Sequence, residues 1–173
     1  MNKINLHRRK LLIRAGAIGL VLGKGQVLAQ TSEPGAPGDD PLARLTPDSE
    51  LAINYEKAQR IVREVLQGRP VRTGLIDATV PDIAEDGSSV PASFTVNCSM
   101  TNNDYPKTVH VIGMVNPTPE IARYHFTPAC GEASVVLRCR MHASSELTFV
   151  ANMADGTVGM TQRFISVTAG GCI

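Results

Sequence analysis

The sequence has no tryptophan, and only 4% of its 173 residues are aromatic. That is too few rings for a base-stacking surface. It has no excess of either charge: 17 lysines and arginines against 16 acids leave a net +1. Nothing here supplies the basic footprint by which nucleic-acid-binding domains meet phosphates. No apolar run is long enough to span a bilayer, since the stretch at residues 15–22 is short and interrupted by glycine. The usual signatures of chemistry are also missing. There is no C-x-x-C and no H-x-x-x-H to hold zinc. There is no G-x-S-x-G, no phosphate loop and no metalloprotease helix. The acids gather in loop-like stretches, as in "PDIAEDG", rather than as a catalytic pair. As an enzyme the sequence is poor, and no cofactor or metal site is implied.

What is present begins with an export signal. "HRRKLLIRAGAIGLVLG" carries Arg8-Arg9, then Lys10 and Leu11-Leu12, the twin-arginine pattern. Val27 and Ala29 sit at the small-residue cleavage positions, so cutting is expected after Ala29. Residues 1–29 then form a twin-arginine signal, and the mature chain is periplasmic, with no stable membrane insertion. Residues 30–45 are rich in Pro, Gly and Asp and read as a flexible linker.

Residues 46–68 read as a helix. Thr46 is placed to cap it, Pro47 suits the first helical position, and Asp48 and Glu50 suit the positive end of the dipole. Leu51, Tyr55, Ala58, Val62 and Val65 share one face, widened by Ile61 and Leu66. Gly68 and Pro70 close it. An isolated helix of this length is marginal in water, so its apolar face should dock on the domain or on a partner.

From residue 71 the apolar period changes to two. "GLIDATVP", "ASFTVNC", "TVHVIGMV", "EIARYHFTP", "ASVVLRCRM", "ELTFVANM" and "TVGMTQRFISVTA" read as seven strands, with "DIAEDGSSVP" as a connection. Ala154-Asp155-Gly156 marks a hairpin between the last two. Fifteen glycines and eleven prolines agree with many turns. The expected fold is all-β: an antiparallel sandwich of immunoglobulin type over residues 71–168, behind an N-terminal helix.

Of the three histidines beyond the signal, His110 and His125 fall in strands, where a satisfied surface or edge imidazole is the usual case. His142 follows Cys139 and Met141, a soft-ligand set suited to copper. Alternation, however, turns His142 away from the two sulfurs. Met100, Met114, Met153 and Met160 suit core gaps.

The most informative feature is the end, "TAGGCI". Gly170 and Gly171 free the chain from the last strand, and Cys172 places a thiol where it packs nothing. Counted from Val167, the arm reaches roughly 15 Å, enough to enter an enzyme cleft while the domain stays outside. Residues 169–173 are therefore expected to be a flexible C-terminal cysteine arm. The alternative is a periplasmic sandwich that binds a protein partner or copper and uses Cys172 for an intermolecular disulfide.

The set "PDIAEDGSSVP", "NPTPEIARYHFTPACGEASVVLRCRM", "NMADG" and "GGC", in that order, resembles the SoxY family of sulfur carriers. The resemblance implies an immunoglobulin-like fold and a heterodimer with a small β subunit, SoxZ. It implies that Cys172 carries the sulfur substrate covalently on an arm containing Gly170 and Gly171. It further implies three visiting partners: a c-type cytochrome complex that conjugates thiosulfate, a sulfate-releasing hydrolase, and a sulfane dehydrogenase. The family's arm ends Gly-Gly-Cys-Gly-Gly, whereas here Ile173 follows the cysteine. The family pattern also lacks the three additional cysteines. If an internal disulfide forms among these, strand order places it between Cys98 and Cys130, with Cys139 a buried thiol.

Overall fold

The computed structural model describes residues 49–169. The expected signal, the linker, Thr46 and residues 170–173 lie outside them. The helix α1 spans Glu50–Leu66. Ser49 caps it, with its side chain accepting from the Ala52 amide at 3.2 Å. The start therefore lies later than the Thr46 expected from sequence, because Ser49 itself supplies the oxygen that a first turn requires. Gln67 takes the left-handed conformation ahead of Gly68, and its amide closes onto the Arg63 carbonyl.

Nine strands follow: β1 (Val71–Arg72), β2 (Ile76–Thr79), β3 (Ile83–Asp86), β4 (Val90–Val96), β5 (Pro106–Gly113), β6 (Glu120–His125), β7 (Ser134–Cys139), β8 (Ser145–Met153) and β9 (Val158–Ala169). The seven expected strands are present with ends shifted by up to three residues, and β4, β5 and β8 start earlier than read; β1 and β3 are additional. One sheet runs β1-β9-β8-β5-β6, with β3 also on β9, and the other runs β2-β4-β7. The arrangement is not wholly antiparallel, as the sequence reading had it. Both β1 and β3 pair with β9 in parallel. The stretch "IAED", read as a connection, becomes a strand because the far half of β9 offers it an open edge.

The two sheets close on one core. Phe94 of β4, 1% exposed, meets the rings of Phe149 on β8 at 5.6 Å and Tyr124 on β6 at 5.7 Å. Phe126 meets it edge-on at 6.5 Å. Val90, Ala92 and Val96 of the small sheet pack in the same cluster as Val109, Val111 and Leu147 of the large one. Gly159 lets β9 pass Leu75 closely, since a Cβ there would lie 2.6 Å from the leucine Cδ2.

The other face of the large sheet carries α1. Ala58, fully buried, sits with Tyr55, Ile61, Val62, Val65 and Leu66 against Ile112, Met114, Val150, Val158 and Met160. The expected apolar face thus docks on the domain. Asn54 is buried within that face and donates to the Val115 carbonyl at 3.3 Å. Arg69 fastens the other end. It donates to the Val65 and Leu66 carbonyls, to Asn152 Oδ1 at 2.7 Å and to the Gly156 carbonyl in the β8–β9 turn. That turn is the expected Asp-Gly hairpin: Asp155 accepts from the Thr157 amide and hydroxyl, and Gly156 has φ +85°.

Two substitutions test this layering by urea unfolding. Phe94→Ala should cost about 3–5 kcal/mol, as expected for an emptied aromatic core site. Arg69→Ala should cost about 1–3 kcal/mol, because it releases helix carbonyls and Asn152 together.

Candidate functional site at the end of the last strand

The residues that matter are those from which the expected arm departs. Antiparallel pairing of β9 with β8 ends at Ser145↔Ile165. Beyond that point β3 takes over, with Ile83↔Ser166, Ala84↔Val167 and Asp86↔Ala169. Side-chain hydroxyls reinforce the junction. Ser144 Oγ accepts from the Val167 amide at 2.8 Å, and Thr168 Oγ1 donates to the Glu85 carbonyl at 2.9 Å. The Gly87 amide then donates to the Ala169 carbonyl at 2.8 Å.

Gly87 is itself held. Its carbonyl accepts from the Met141 amide at 2.8 Å. Asp86 accepts from the Ser88 hydroxyl at 2.6 Å and the Ser88 amide at 2.7 Å. Those two hydrogen bonds, aided by the charge of Arg140, keep the Asp86 carboxyl below the usual range. The fold is therefore fixed up to Ala169, and the sequence estimate of the arm needs correcting. Val167 and Thr168 belong to the sheet. Cys172 lies three residue steps beyond Ala169, a span of at most about 10 Å rather than 15. Gly170, Gly171, Cys172 and Ile173 lie outside the described residues.

The three domain cysteines are all free. β4 and β7 do run antiparallel side by side, as the Cys98–Cys130 pairing required. The bond itself is not made, because each thiol has turned to a local partner. Cys98 donates to the Met100 sulfur at 3.5 Å, Met100 having the left-handed backbone (φ +52°). Cys130, exposed in a short 3-10 turn at Pro128–Cys130, accepts from the Thr127 amide at 3.5 Å. That hydrogen bond and the Thr127 hydroxyl lower its pKa. Cys139 is the expected buried thiol. Burial pushes it up to about 11, and it donates to the Val90 carbonyl at 3.6 Å.

The copper set is not brought together. Cys139 and Met141 are 4% and 0% exposed within the inter-sheet core. His142 lies beyond them, with its amide on Asn116 Oδ1. Among the described residues, no group of three or more His, Cys, Asp or Glu side chains could hold a metal ion. Of the other methionines, Met114 and Met153 are buried, and Met160 packs under the helix.

His125 is exposed, as expected, but His110 is not an edge imidazole. It is 6% exposed, with Nδ1 at 2.7 Å from Glu120 Oε1 and Nε2 at 3.3 Å from Asn152 Nδ2. A carboxylate accepts, so Nδ1 carries the proton and Nε2 accepts from the amide. Burial pushes Glu120 up, but hydrogen bonds from Arg123 and His110 outweigh it and hold the carboxyl below its usual range. The chain Arg123–Glu120–His110–Asn152–Arg69 spans the large sheet. Its links to Asn152 join residues far apart in sequence, and only the strand register reveals them.

The thiols make a ranking that can be measured. Iodoacetamide at pH 7.5, followed by peptide mass spectrometry, should modify Cys130 well before Cys139. Cys139 should react only under denaturing conditions.

The fold and its final strand can be set beside known proteins. The family model described as sulfur oxidation protein SoxY matches residues 62–172, from mid-helix through the last cysteine. The solved structure of the sulfur carrier protein SoxY from Chlorobium limicola f thiosulfatophilum is 22% identical, with a TM-score of 0.54 over 65% of this chain and 97% of that one. A superoxide reductase (neelaredoxin) from Ignicoccus hospitalis is 11% identical, with a TM-score of 0.49 over 56% of this chain and 94% of that one. A putative superoxide reductase from Thermotoga maritima is 15% identical, with a TM-score of 0.47 over 59% and 96%. No curated protein matches the sequence. The match to the family model covers the domain and reaches the terminal thiol, and the chain belongs to the SoxY family.

Proposed function

We propose that this protein is a covalent sulfur carrier of thiosulfate oxidation, with Cys172 as the point of attachment, and not itself an enzyme. The observation that carries this is a juxtaposition. The family match runs through Cys172, and the paired strand β9 reaches Ala169, three positions before it. A thiol at that position is tethered close to the body of the fold. The relative of similar fold from Chlorobium limicola is itself named a sulfur carrier.

On this reading the thiol reacts with thiosulfate to form a Cys–S–S–SO3⁻ adduct. One proton leaves, and two electrons pass to a c-type cytochrome complex. Water then cleaves the terminal S–S bond in the hydrolase, releasing sulfate and a proton and leaving Cys–S–SH. The sulfane sulfur is next oxidised by a dehydrogenase. Gly170 and Gly171 carry no side chains, so the cleft need admit only backbone and the loaded sulfur. The carrier is exported through the twin-arginine signal, works in the periplasm and pairs with a SoxZ-like β subunit. The two-sheet packing around Phe94 is of the immunoglobulin-like kind on the same reading.

Cys172→Ser tests the assignment. The variant should keep its circular dichroism spectrum and unfolding midpoint. It should gain no sulfur adduct in intact-mass spectra and lose thiosulfate-dependent cytochrome reduction. An adduct still acquired by the variant would place the carrying sulfur on a domain cysteine and sink the proposal.

A further inference from the structure

The short reach from Ala169 constrains whatever acts on the arm. An enzyme that takes Cys172 into its cleft must bring its surface to within about 10 Å of Ala169. A contact patch of standard size, roughly 800 Å² per partner, has a radius of about 16 Å. The surface around the end of β9 must therefore lie under the partner.

Two of the exposed large hydrophobic residues sit there. Alternate residues of β9 face opposite ways: Ile165 and Val167 enter the inter-sheet core, while Val158 and Met160 lie under α1. Phe164 and Ser166 thus point to the helix side, but beyond the part that α1 covers. Ile83 pairs with Ser166 and shares that side, as Ala84 and Val167 share the core side. Ile83 is 64% exposed and Phe164 43%. Ser166 lies about 10 Å from Ala169 along the strand and Phe164 about 16 Å, so both hydrophobic residues fall within the footprint.

Carboxylates border the pair. Glu85 of β3 is exposed on the same side as Ile83, half-buried Glu146 stands opposite Phe164 in the β8 register, and exposed Asp82 and Asp86 lie to either side along the chain. Arg140, beside Asp86, is the cation nearby. Resting on the carrier reading above, we propose that Ile83 and Phe164 form the docking surface for the enzymes that act on the arm, and that these enzymes present an apolar patch with a basic rim. An apolar centre inside a charged border is the anatomy of a transient protein interface, with the rim setting the on-rate. A basic rim also suits a cleft that must accept an anionic sulfonate.

The test uses the full-length carrier, its Cys172 loaded as the thiosulfate adduct, and the sulfate-releasing hydrolase of the same organism. Ile83→Thr and Phe164→Ser are compared with wild type and with Val136→Ser. Val136 is 84% exposed but lies on the outer face of β7 in the other sheet. The expected result is a fall of tenfold or more in kcat/KM for each patch variant, with kcat at saturating carrier within twofold and Val136→Ser unchanged. Raising the salt should lower kcat/KM for wild type. Before loading, alkylation of the free Cys172 thiol by iodoacetamide should proceed at one rate in all four proteins, showing the thiol equally accessible. Equal kcat/KM in wild type and patch variants overturns the docking surface and leaves the carrier reading standing. A loss at Val136 instead moves docking to the other sheet and overturns it as well. So does a sedimentation shift showing that the patch variants lose the SoxZ-like subunit, which would make that subunit the occupant. Wild-type carrier that the hydrolase does not turn over overturns both.

Discussion

Four residues of parallel pairing, Ile83–Asp86 against the end of β9, carry the last strand as far as Ala169. β8 supports β9 only as far as Ile165. Without β3, the last four residues of the strand would keep only isolated hydrogen bonds such as that to Ser144. With β3 in place, the register runs to Ala169 and ends on the Gly87 amide. Unpaired backbone groups are costly only where water cannot reach them, so an exposed strand end frays unless something holds it. Here the Asp86–Ser88 turn and the Met141 amide hold the residue that holds Ala169. The consequence is mechanical: the strand that leads towards Cys172 is held by pairing and hydrogen bonds up to Ala169.

The layers behind that strand serve the same end. β9 contributes Ile165 to the inter-sheet core and Val158 and Met160 to the helix layer, so both of its faces are buried for part of its length. Arg69 then joins the helix carbonyls to the turn from which β9 begins. The strand is anchored at its start by the helix, in its middle by two hydrophobic clusters, and at its end by β3. One side of its second half remains open, and there Phe164 stands exposed.

Much of this was legible in the sequence where one element determines its own shape. The helix face follows from spacing at 3.6 residues, and the Asp-Gly hairpin from local turn chemistry. Cys139 and Met141 were legible as inward residues because β7 alternates cleanly. What depended on distant partners was not. β3 reads as a loop because "IAED" has one buried residue, Ala84, and three exposed ones. Only the open edge of β9 makes it a strand, and that edge exists only once the sheet has formed. Arg69 looks like an ordinary polar residue between a glycine and a proline; its four acceptors come from the helix end and from residues more than eighty positions away. The His110–Glu120 contact likewise follows from the β5–β6 pairing, not from any motif. For the site itself, sequence gave the thiol and its family, and overestimated its reach because strand ends are set by pairing.

On the carrier reading proposed above, the positions of the other thiols decide whether a loaded cysteine is captured by its own domain. Thiolates attack disulfides and persulfides, so any reachable cysteine competes with the partner enzyme. Cys139 pairs with Val90 at the end of the sandwich near the arm root. It is the domain cysteine closest to the root in register, and it is buried, with its pKa raised to about 11. Cys130, the exposed thiol with the lowered pKa, precedes β7 at the opposite end, beside the finish of β4. The seven residues of β4 between these ends span about 20 Å, roughly twice the reach of three residues from Ala169. Cys98 follows the same far end of β4 and is turned onto Met100. On the proposed reading, the near thiol is buried with a raised pKa and the exposed thiol lies across the sandwich, so neither is placed to compete for a sulfur carried three positions beyond Ala169.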